Sequence, residues 1–581
     1  MKKFSKILML LVIIALFAFS ACGNNDPTPP VATPAPPTPQ GGTAQNPPPA
    51  QPGNGLSPNN PVTISTLIVT PQLAPEPGNR ITQLLLDRLG VTLTYDLTPP
   101  DLLDQRIGVL IAGGDLPDLL GVPDGQARLV QARGMLRLDP FLDSGQWPLL
   151  LEHIRPYRQR LSWRGGGVED GLYQFPNYNR FYGNPPMLSP EHWGSAFWIQ
   201  KAVLEWHNFP SLDNMTLERY FNMIEEYMTA HPYINGMPTI GFTFPTSPGH
   251  IWGMTNPPLF LAGHPNNGSV MVFDGIARIY GNTQYAEDYF RFLNRAHARG
   301  IVDPETFTQT LDQYLANLAS GRVLGMHDQR WAFSVSYDAL VSAGLYNRTW
   351  VGTMPVFPGR TPWYADRDVM NVHQGMGISS MANNPELLLT FLETMMTEEW
   401  QILLSWGEEG IDYNVDADGM FYRTPEQVAN RNDITWRGLN RLEAFLDQLP
   451  KLQGTLSCGN SWAPGHQLAE FQRELSDYNR IFLDAYGKST WRDFFNDPPN
   501  NPVYYPAWQI SLPAGSPAAI AESQLEDIAV ERLPGIIMGS TANFDAAWAA
   551  YIAMFDMINV AAYEAAITAG LQERIELAGG L

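Results

Sequence analysis

The sequence is poor in cysteine and in positive charge. Cys22 and Cys458 are the only cysteines among 581 residues. Lysine and arginine together number 36 against 58 aspartates and glutamates, so the formal net charge is −22. This acidic balance argues against a nucleic-acid partner and against electrostatic binding to anionic lipid.

Long apolar runs are also missing from the body of the chain. A membrane-spanning helix needs roughly 20 apolar residues, and no run beyond Cys22 reaches that length. Residues 549–571 come closest, but Asp556 and Glu564 interrupt them. We therefore expect an amphipathic helix there rather than a membrane span.

The motifs of catalysis and metal binding are absent from the sequence. There is no HExxH, and no two of the ten histidines stand four positions apart, so zinc has no obvious site. There is no GxSxG, and Phe482 stands where a P-loop ending in the GKS tripeptide would need glycine. The acidic pairs Asp115/Asp118 and Glu408/Glu409 could serve glycoside hydrolysis, but turn and helix-end positions also explain them. We expect no enzyme activity, no cofactor and no metal.

The N-terminus has the features of a lipoprotein signal peptide, residues 1–22. Three lysines within the first six residues precede an apolar run at residues 7–19, which is too short to span a membrane. The FSAC sequence ending at Cys22 is typical of a lipobox, in which the cysteine is lipidated and becomes the mature N-terminus. The alternative is an ordinary signal peptide with an incidental cysteine. If Cys22 carries lipid, Cys458 has no partner and the fold uses no disulfide.

A proline-rich tether follows at residues 23–61. Residues 27–61 hold 13 of the 50 prolines, and no charged residue occurs between Asp26 and Glu76. Such a segment cannot bury a core and favours extended polyproline II. At roughly 3 Å per residue it could reach about 100 Å, which suits a tether between a lipid and a folded body.

The folded body begins with alternating strand and helix patterns. Residues 62–70 and 91–97 read as strands, with an amphipathic helix between them that ends on Gly90. Residues 101–126 continue the pattern with a helix stopped by two glycines, a DLPD turn and a short buried strand. This β-α-β-α-β order predicts a doubly wound lobe. Asp124 follows the last strand and is predicted to face a ligand, because ligands sit beyond strand carboxyl ends in such sheets; a plain turn aspartate is the alternative.

The AGGDLPD segment resembles the "ASGDLPD" signature of extracellular solute-binding proteins, family 1, the binding lipoproteins of ABC importers. Further segments resemble elements of this family in the right order: GMLRLD at 134–139, GLYQFP at 171–176, FWIQK at 197–201, IVDP at 301–304, SGRVLGMHDQRW at 320–331 and WGEEGIDY at 406–413. Gln200 and Ala202 depart from the family's usual arginine and aspartate. Residues 231–239, where some relatives carry an aspartate-rich calcium loop, contain no carboxylate, so we expect no calcium.

The resemblance implies an α/β, two-lobed fold of the type II periplasmic-binding-protein kind, with an interlobe ligand cleft and additional C-terminal helices. It places residues 62–185 and 355–400 in the first lobe and residues 186–354 and 401–520 in the second. Residues 521–581 would form the C-terminal helices. The expected molecule is an extracytoplasmic, lipid-anchored monomer that captures a solute between its lobes and delivers it to ABC permease subunits.

The ligand is expected to be an oligosaccharide, because large members of this family mostly take such sugars. The 16 tryptophans and 23 tyrosines suit the flat apolar face of a sugar. Two other functions remain open: a secreted carbohydrate-active enzyme, and a surface sensor or adhesion lipoprotein without a transporter.

Three of the six candidate ligand-binding residues lie on one loop. Trp331 falls where the maltose-binding branch supplies a stacking tryptophan, and packing in the core is its alternative. Asp328 and Arg330 flank it and could form a polar rim for sugar hydroxyls. Trp252 and Trp363 lie on loops rich in glycine and proline, in segments expected to adjoin the cleft, although structural roles are also open to them.

Overall fold

The computed structural model describes residues 55–70, 72, 74–99, 102–123, 126–155, 158–163, 168–177, 189–247, 250–365, 374–452, 454–497, 505–513 and 515–577. Cys22, most of the tether and Asp124 lie outside these residues. The last tether residues, 55–61, are described, and Leu56 packs against the core of the first lobe. The described residues belong to one compact unit, Gly53–Leu581.

The strands are β1 (Val62–Val69), β2 (Val91–Thr98), β3 (Leu119–Gly121), β4 (Gln174–Pro176), β5 (Ser195–Gln200), β6 (Tyr233–Ile234), β7 (Met237–Pro238), β8 (Ile240–Thr243), β9 (Val270–Phe273), β10 (Ile276–Ile279), β11 (Val323–Gln329), β12 (Trp350–Thr353), β13 (Gly375–Ile378), β14 (Asn414–Val415) and β15 (Phe421–Tyr422).

The helices are α1 (Arg80–Leu89), α2 (Leu103–Gly113), α3 (Gln126–Gln131), α4 (Asp139–Leu142), α5 (Pro148–Ile154), α6 (Arg158–Leu161), α7 (Lys201–Trp206), α8 (Leu217–Ala230), α9 (Trp252–Thr255), α10 (Pro257–Leu261), α11 (Gln284–Ala298), α12 (Leu311–Ala319), α13 (Ser334–Ser342), α14 (Pro385–Met395), α15 (Glu398–Ser405), α16 (Pro425–Asn432), α17 (Ile434–Asn440), α18 (Glu443–Gln448), α19 (Leu468–Glu474), α20 (Asp477–Ala485), α21 (Pro517–Met538), α22 (Phe544–Met554) and α23 (Val560–Leu577). Short 3₁₀ turns occur at Pro304–Phe307, Tyr346–Arg348, Pro464–His466, Trp491–Phe494, Ala507–Gln509, Thr541–Asn543 and Phe555–Met557.

The first lobe is built on a five-stranded sheet in the order β2-β1-β3-β13-β4. β1 is parallel to β2 and β3, whereas β13 runs antiparallel to β3 and β4. Ile64 and Ile68 of β1 pack in one apolar cluster and Leu67 and Val69 in another. Because successive strand residues point to opposite faces, both faces of this sheet are covered, as the doubly wound prediction requires.

The second lobe is built on a four-stranded sheet in the order β12-β5-β11-β8. β5 runs antiparallel to β11 and β12, and β11 is parallel to β8. A single large core, rich in aromatic rings such as Phe197, Tyr220 and Phe242, surrounds this sheet. The structure therefore confirms the predicted two-lobed α/β fold class.

The chain passes between the two sheets at edges that can be identified from the strand directions. β4 ends at Pro176 and β5 begins at Ser195, while β12 ends at Thr353 and β13 begins at Gly375. The carboxyl ends of β1, β3 and β4 share one edge of the first sheet with the start of β13. The carboxyl ends of β8, β11 and β12 share one edge of the second sheet with the start of β5. These two cleft-facing edges are where ligands bind in open α/β sheets.

The packing divides residues 355–520 differently from the predicted lobe boundaries. Tyr364 and Ala365 belong to the core of the second lobe, so that lobe continues past residue 354. Leu403 of α15 and Phe445 of α18 pack with the first sheet, so residues assigned from the sequence to the second lobe complete the first. The chain returns to the second lobe with α19 and α20, since Phe471 of α19 packs against that core and Phe482 of α20 enters it. An amphipathic helix shows which of its faces is apolar but not which sheet covers it.

The C-terminal helices α21, α22 and α23 pack on the second lobe. Asn294 of α11 donates to the carbonyls of Ile536, Ile537 and Gly539 at the end of α21, at 3.0, 3.1 and 2.8 Å. The helix expected over residues 549–571 is two helices, because a 3₁₀ turn separates α22 from α23 and the chain bends by 70°. Within the described part of the chain no single helix is long and apolar enough to cross a membrane; only that bent pair reaches the required length and composition.

Candidate functional site

Trp331 lies at the cleft-facing edge of the second sheet, immediately after β11 and Arg330. Its side chain is 47% exposed, so it is not a core tryptophan. Its indole Nε1 donates a hydrogen bond of 2.7 Å to the Oε1 atom of Gln329. The ring is therefore held by its polar edge while its faces remain available to a flat partner.

Trp252 lies beside Trp331 and comes from a different segment. It begins α9, which follows the carboxyl end of β8. The two indole rings are 5.7 Å apart between centroids and tilted by 44°. The ring of His250 lies 4.6 Å from the Trp252 ring on the same loop. The structure thus brings together two tryptophans that the sequence separates by 79 positions.

Asp328 is fully buried, so it does not form the exposed rim that the sequence suggested. Its Oδ2 atom accepts from the Tyr314 hydroxyl at 2.9 Å. Its Oδ1 atom accepts from the Trp252 Nε1 at 3.2 Å and from the Gln329 backbone N–H at 2.7 Å. Burial raises the pKa of this carboxyl to about 7, although the three hydrogen bonds oppose the shift.

Arg330 is also buried rather than exposed, at 4% of its surface. Its guanidinium carbon lies 3.9 Å from the centre of the Tyr337 ring and 5.2 Å from that of Trp193. Its Nη1 atom has no hydrogen-bond partner among the described residues. Its role in the structure is to fill the space between aromatic rings, and any contact with a ligand would be through its edge.

Trp193 is a candidate that the sequence did not reveal. It is 40% exposed and precedes β5 by two residues. Ser195 pairs with Gln329, and the Arg330 backbone N–H donates to the Gly194 carbonyl at 3.2 Å. Extending this antiparallel register places Trp193 opposite Trp331. Only the strand pairing carries this information, so a single sequence offered no signal for it.

The remaining predicted residues divide into two groups. Trp363 is half-buried on the segment after β12, near the same edge of the second lobe. Asp124 and Cys22 lie outside the described residues. Their proposed roles in ligand binding and lipidation remain predictions.

The first lobe places buried polar groups at its own cleft-facing edge. Thr70 follows β1 and donates through its hydroxyl to Asp447 Oδ2 at 2.8 Å. Asn177 follows β4 and donates through Nδ2 to the Asp447 carbonyl at 2.9 Å. The Oε1 atom of Gln448 and the Oδ1 atom of Asn177 are buried without a hydrogen-bond partner in the described part of the chain. Unpaired acceptors at this edge suit a ligand that brings hydroxyl donors.

A small cavity lies in the second lobe beside Arg330. Glu191, His192, Arg330 and Tyr337 help to line it, and it has room for about one water molecule. Burial raises the pKa of Glu191 to about 7 and lowers that of His192 to about 3. This cavity is too small for a sugar, so it is not the ligand site.

One member of each acidic pair considered for hydrolysis has a structural partner. Asp118 accepts from the Ser65 backbone N–H at 2.9 Å and from its hydroxyl at 2.7 Å. Glu408 forms an ion pair with Arg80 of α1. Among the residues that the structure describes, no group of three or more histidine, cysteine or acidic side chains could hold a metal ion.

Comparisons with known proteins support the fold. No protein-family model matches the chain, and no curated sequence matches it significantly. Among solved structures, an HMO-binding solute-binding protein associated with an ABC transporter of Bifidobacterium longum infantis is similar, with a TM-score of 0.61 and 14% identity over 90% of this chain and 100% of that one. The FusA substrate-binding protein of Streptococcus pneumoniae in complex with fructo-nystose is also similar, with a TM-score of 0.60 and 16% identity over 88% of this chain and 99% of that one. The alginate-binding protein AlgQ2 has a TM-score of 0.59 and 12% identity over 88% of this chain and 98% of that one. The chain therefore has the fold of ABC-transporter solute-binding proteins.

Proposed function

We propose that this chain is the extracytoplasmic solute-binding lipoprotein of an ABC importer and that it captures an oligosaccharide between its lobes. The observation that carries the proposal is the tilted pair of Trp252 and Trp331 at the cleft-facing edge of the second lobe. An exposed indole offers a flat apolar face of the kind that sugar rings stack on. Trp331 is exposed and Trp252 is half-buried, and exposed apolar patches of a soluble protein mark sites of interaction.

The first lobe supplies the complementary chemistry. Asn177 and Gln448 leave acceptor oxygens unpaired at its cleft-facing edge, and sugar hydroxyls are donors. A ligand that stacks on the second lobe and donates to the first would bind the closed state better than the open one. Such a difference in affinity is what shifts a two-lobed protein toward closure.

The structural neighbours agree with this class of ligand. They are an HMO-binding protein, a protein in complex with fructo-nystose and an alginate-binding protein. Delivery to permease subunits and lipid anchoring at the cell membrane are the parts of the proposal that follow from the lipobox and from this class of fold.

A thermal-shift screen of the full-length protein, purified in detergent, tests the proposal. The screen covers glycans, peptides and small solutes, with Trp331→Ala as the matched variant. A ligand at a hundred times its dissociation constant adds about 2.7 kcal/mol to the free energy of unfolding, which gives a clear shift in melting temperature. We expect shifts with oligosaccharides that shrink in Trp331→Ala. Shifts with peptides alone, or cleavage of a labelled glycan by the pure protein, would contradict the proposal.

A further inference from the structure

A buried carboxylate beneath the tryptophan pair needs an explanation. Asp328 is fully buried in the second lobe, and a carboxylate removed from water costs free energy unless hydrogen bonds compensate for it. An apolar side chain of similar volume would serve the core at lower cost. The three donors that Asp328 accepts from therefore indicate what the carboxylate does.

Two of these donors fix the orientation of the carboxylate itself. The Tyr314 hydroxyl of α12 binds Oδ2, and the Gln329 backbone N–H binds Oδ1. With both oxygens held, Oδ1 points toward the third donor, the Nε1 atom of Trp252. An indole has a single N–H donor, so this bond limits rotation of the Trp252 ring.

The second indole depends on the same carboxylate through one intermediate residue. Trp331 donates to the side chain of Gln329, and the backbone N–H of Gln329 donates to Asp328. The carboxylate thus holds Trp252 directly and Trp331 through Gln329. No exposed surface of Asp328 remains to touch a ligand.

We propose that Asp328 is a positioning residue that sets the mutual orientation of the Trp252 and Trp331 rings. The biological purpose of this role rests on the proposed function, because the two indoles would then be oriented for stacking before a sugar binds. Fixing the rings before binding removes the cost of ordering them when the sugar arrives, which corresponds to roughly a three- to tenfold gain in affinity.

The test uses the circular dichroism of the coupled indoles in the full-length protein without ligand. Two indoles at 5.7 Å couple electronically. The signal that is lost both in Trp331→Phe and in Trp252→Phe is the contribution of this pair, separate from any coupling of Trp331 with Trp193. We expect Asp328→Leu to abolish this contribution. Asp328→Asn should retain it, because its amide oxygen can accept from Trp252 and Gln329 while its amide nitrogen donates to Tyr314.

Glu393 provides a matched control in the first lobe. It is a buried carboxylate that accepts from the Leu149 and Leu150 backbone N–H groups at 2.8 and 2.9 Å. Glu393→Leu should lower the melting temperature and leave the indole signal unchanged. If Asp328→Leu does not fold, Tyr314→Phe, which frees Oδ2, takes its place and should weaken the signal.

An indole signal in Asp328→Leu or Tyr314→Phe equal to that of the parent would overturn the proposal, whatever the protein binds. Loss of the signal with rescue by asparagine supports it. Because the measurement needs no sugar, a failure of the screen for glycan ligands would refute the proposed function and leave the positioning role of Asp328 standing.

Discussion

Thr70 and Asp447 are 377 positions apart, and the Thr70 hydroxyl donates a hydrogen bond of 2.8 Å to the Asp447 carboxylate. Thr70 follows the first strand of the first sheet, and Asp447 lies in α18. The Asp447 carbonyl also accepts from Asn177, which follows β4. One residue of α18 therefore joins two strand ends at the cleft-facing edge of the first lobe.

We predict that this bond contributes measurably to the stability of the first lobe. Thr70→Val removes one of two donors to the Asp447 Oδ2 atom, since Gln448 Nε2 also donates to it at 3.2 Å, and should cost about 1 kcal/mol of unfolding free energy. Asp447→Ala should cost about 1–2 kcal/mol. The double variant should cost less than the sum, because both changes remove the same bond. Urea unfolding of the four proteins measures this coupling, and strict additivity would show that the bond contributes nothing.

Trp331→Ala should weaken oligosaccharide binding by about 2 kcal/mol, roughly thirtyfold, because a stacked indole buries apolar area in the complex. Its melting temperature should change little, since nearly half of the side chain is exposed. Trp350→Ala is the matched control, because Trp350 is buried and its Nε1 donates to the Val323 carbonyl at 3.0 Å. That variant should lose about 3–5 kcal/mol of stability. Calorimetric titration measures the sugar affinity of both variants, and thermal melting measures their stability. An unchanged affinity in Trp331→Ala would rule out stacking of the sugar on Trp331.

The buried carboxyl of Asp328 should make stability fall as pH rises from about 4 to 7. Its folded pKa of about 7 lies above the unfolded value of about 3.9, so the folded state binds the proton more tightly across that interval. Deprotonation then costs up to a few kcal/mol by pH 7. Asp328→Asn has no such proton, so its stability relative to the parent should increase over this range and level off above it. Denaturation at a series of pH values measures the difference; Asn294→Ala, which removes hydrogen bonds to backbone carbonyls only, should show a constant difference.

Cys22→Ser should release the protein from the membrane fraction, because serine cannot receive the lipid that a lipobox cysteine receives. The parent and the variant are compared by fractionation of the expressing cells. Cys458→Ser is the matched control and should stay with the membrane. A Cys22→Ser protein that remains membrane-bound would place the anchor elsewhere.

The sequence predicted the first lobe well where local signals decide the structure. Asn79 caps α1 by accepting from the Thr82 backbone N–H, and Gly90 ends it in the left-handed conformation at φ 69°. These are short-range effects, and residue identity alone reveals them. The alternation of apolar residues in β1 is equally local, because it reflects burial on both faces of one strand.

The prediction was weaker where distant segments meet. The residues of α18 and the part of α15 beyond residue 400 were assigned to the second lobe but pack with the first sheet, because an apolar face does not show which sheet covers it. Asp328 and Arg330 were predicted to form an exposed polar rim, yet both are buried. Tyr314 of α12 contacts Asp328, and Tyr337 of α13 contacts Arg330. Trp193 became a candidate only through the register of β5 against β11.

Closure around an intact sugar is the most direct test of the proposed function. Cys458 is an exposed free cysteine of the first lobe, and Tyr233→Cys would add an exposed one on the second. Spin labels at these two sites report the distance between the lobes by pulsed electron resonance, with and without the oligosaccharide that gives the largest thermal shift. We expect the sugar to move the distance distribution to a new, narrower maximum and to be recovered intact by mass spectrometry. A bound sugar that leaves the distribution unchanged, or that is recovered cleaved, would contradict capture between closing lobes.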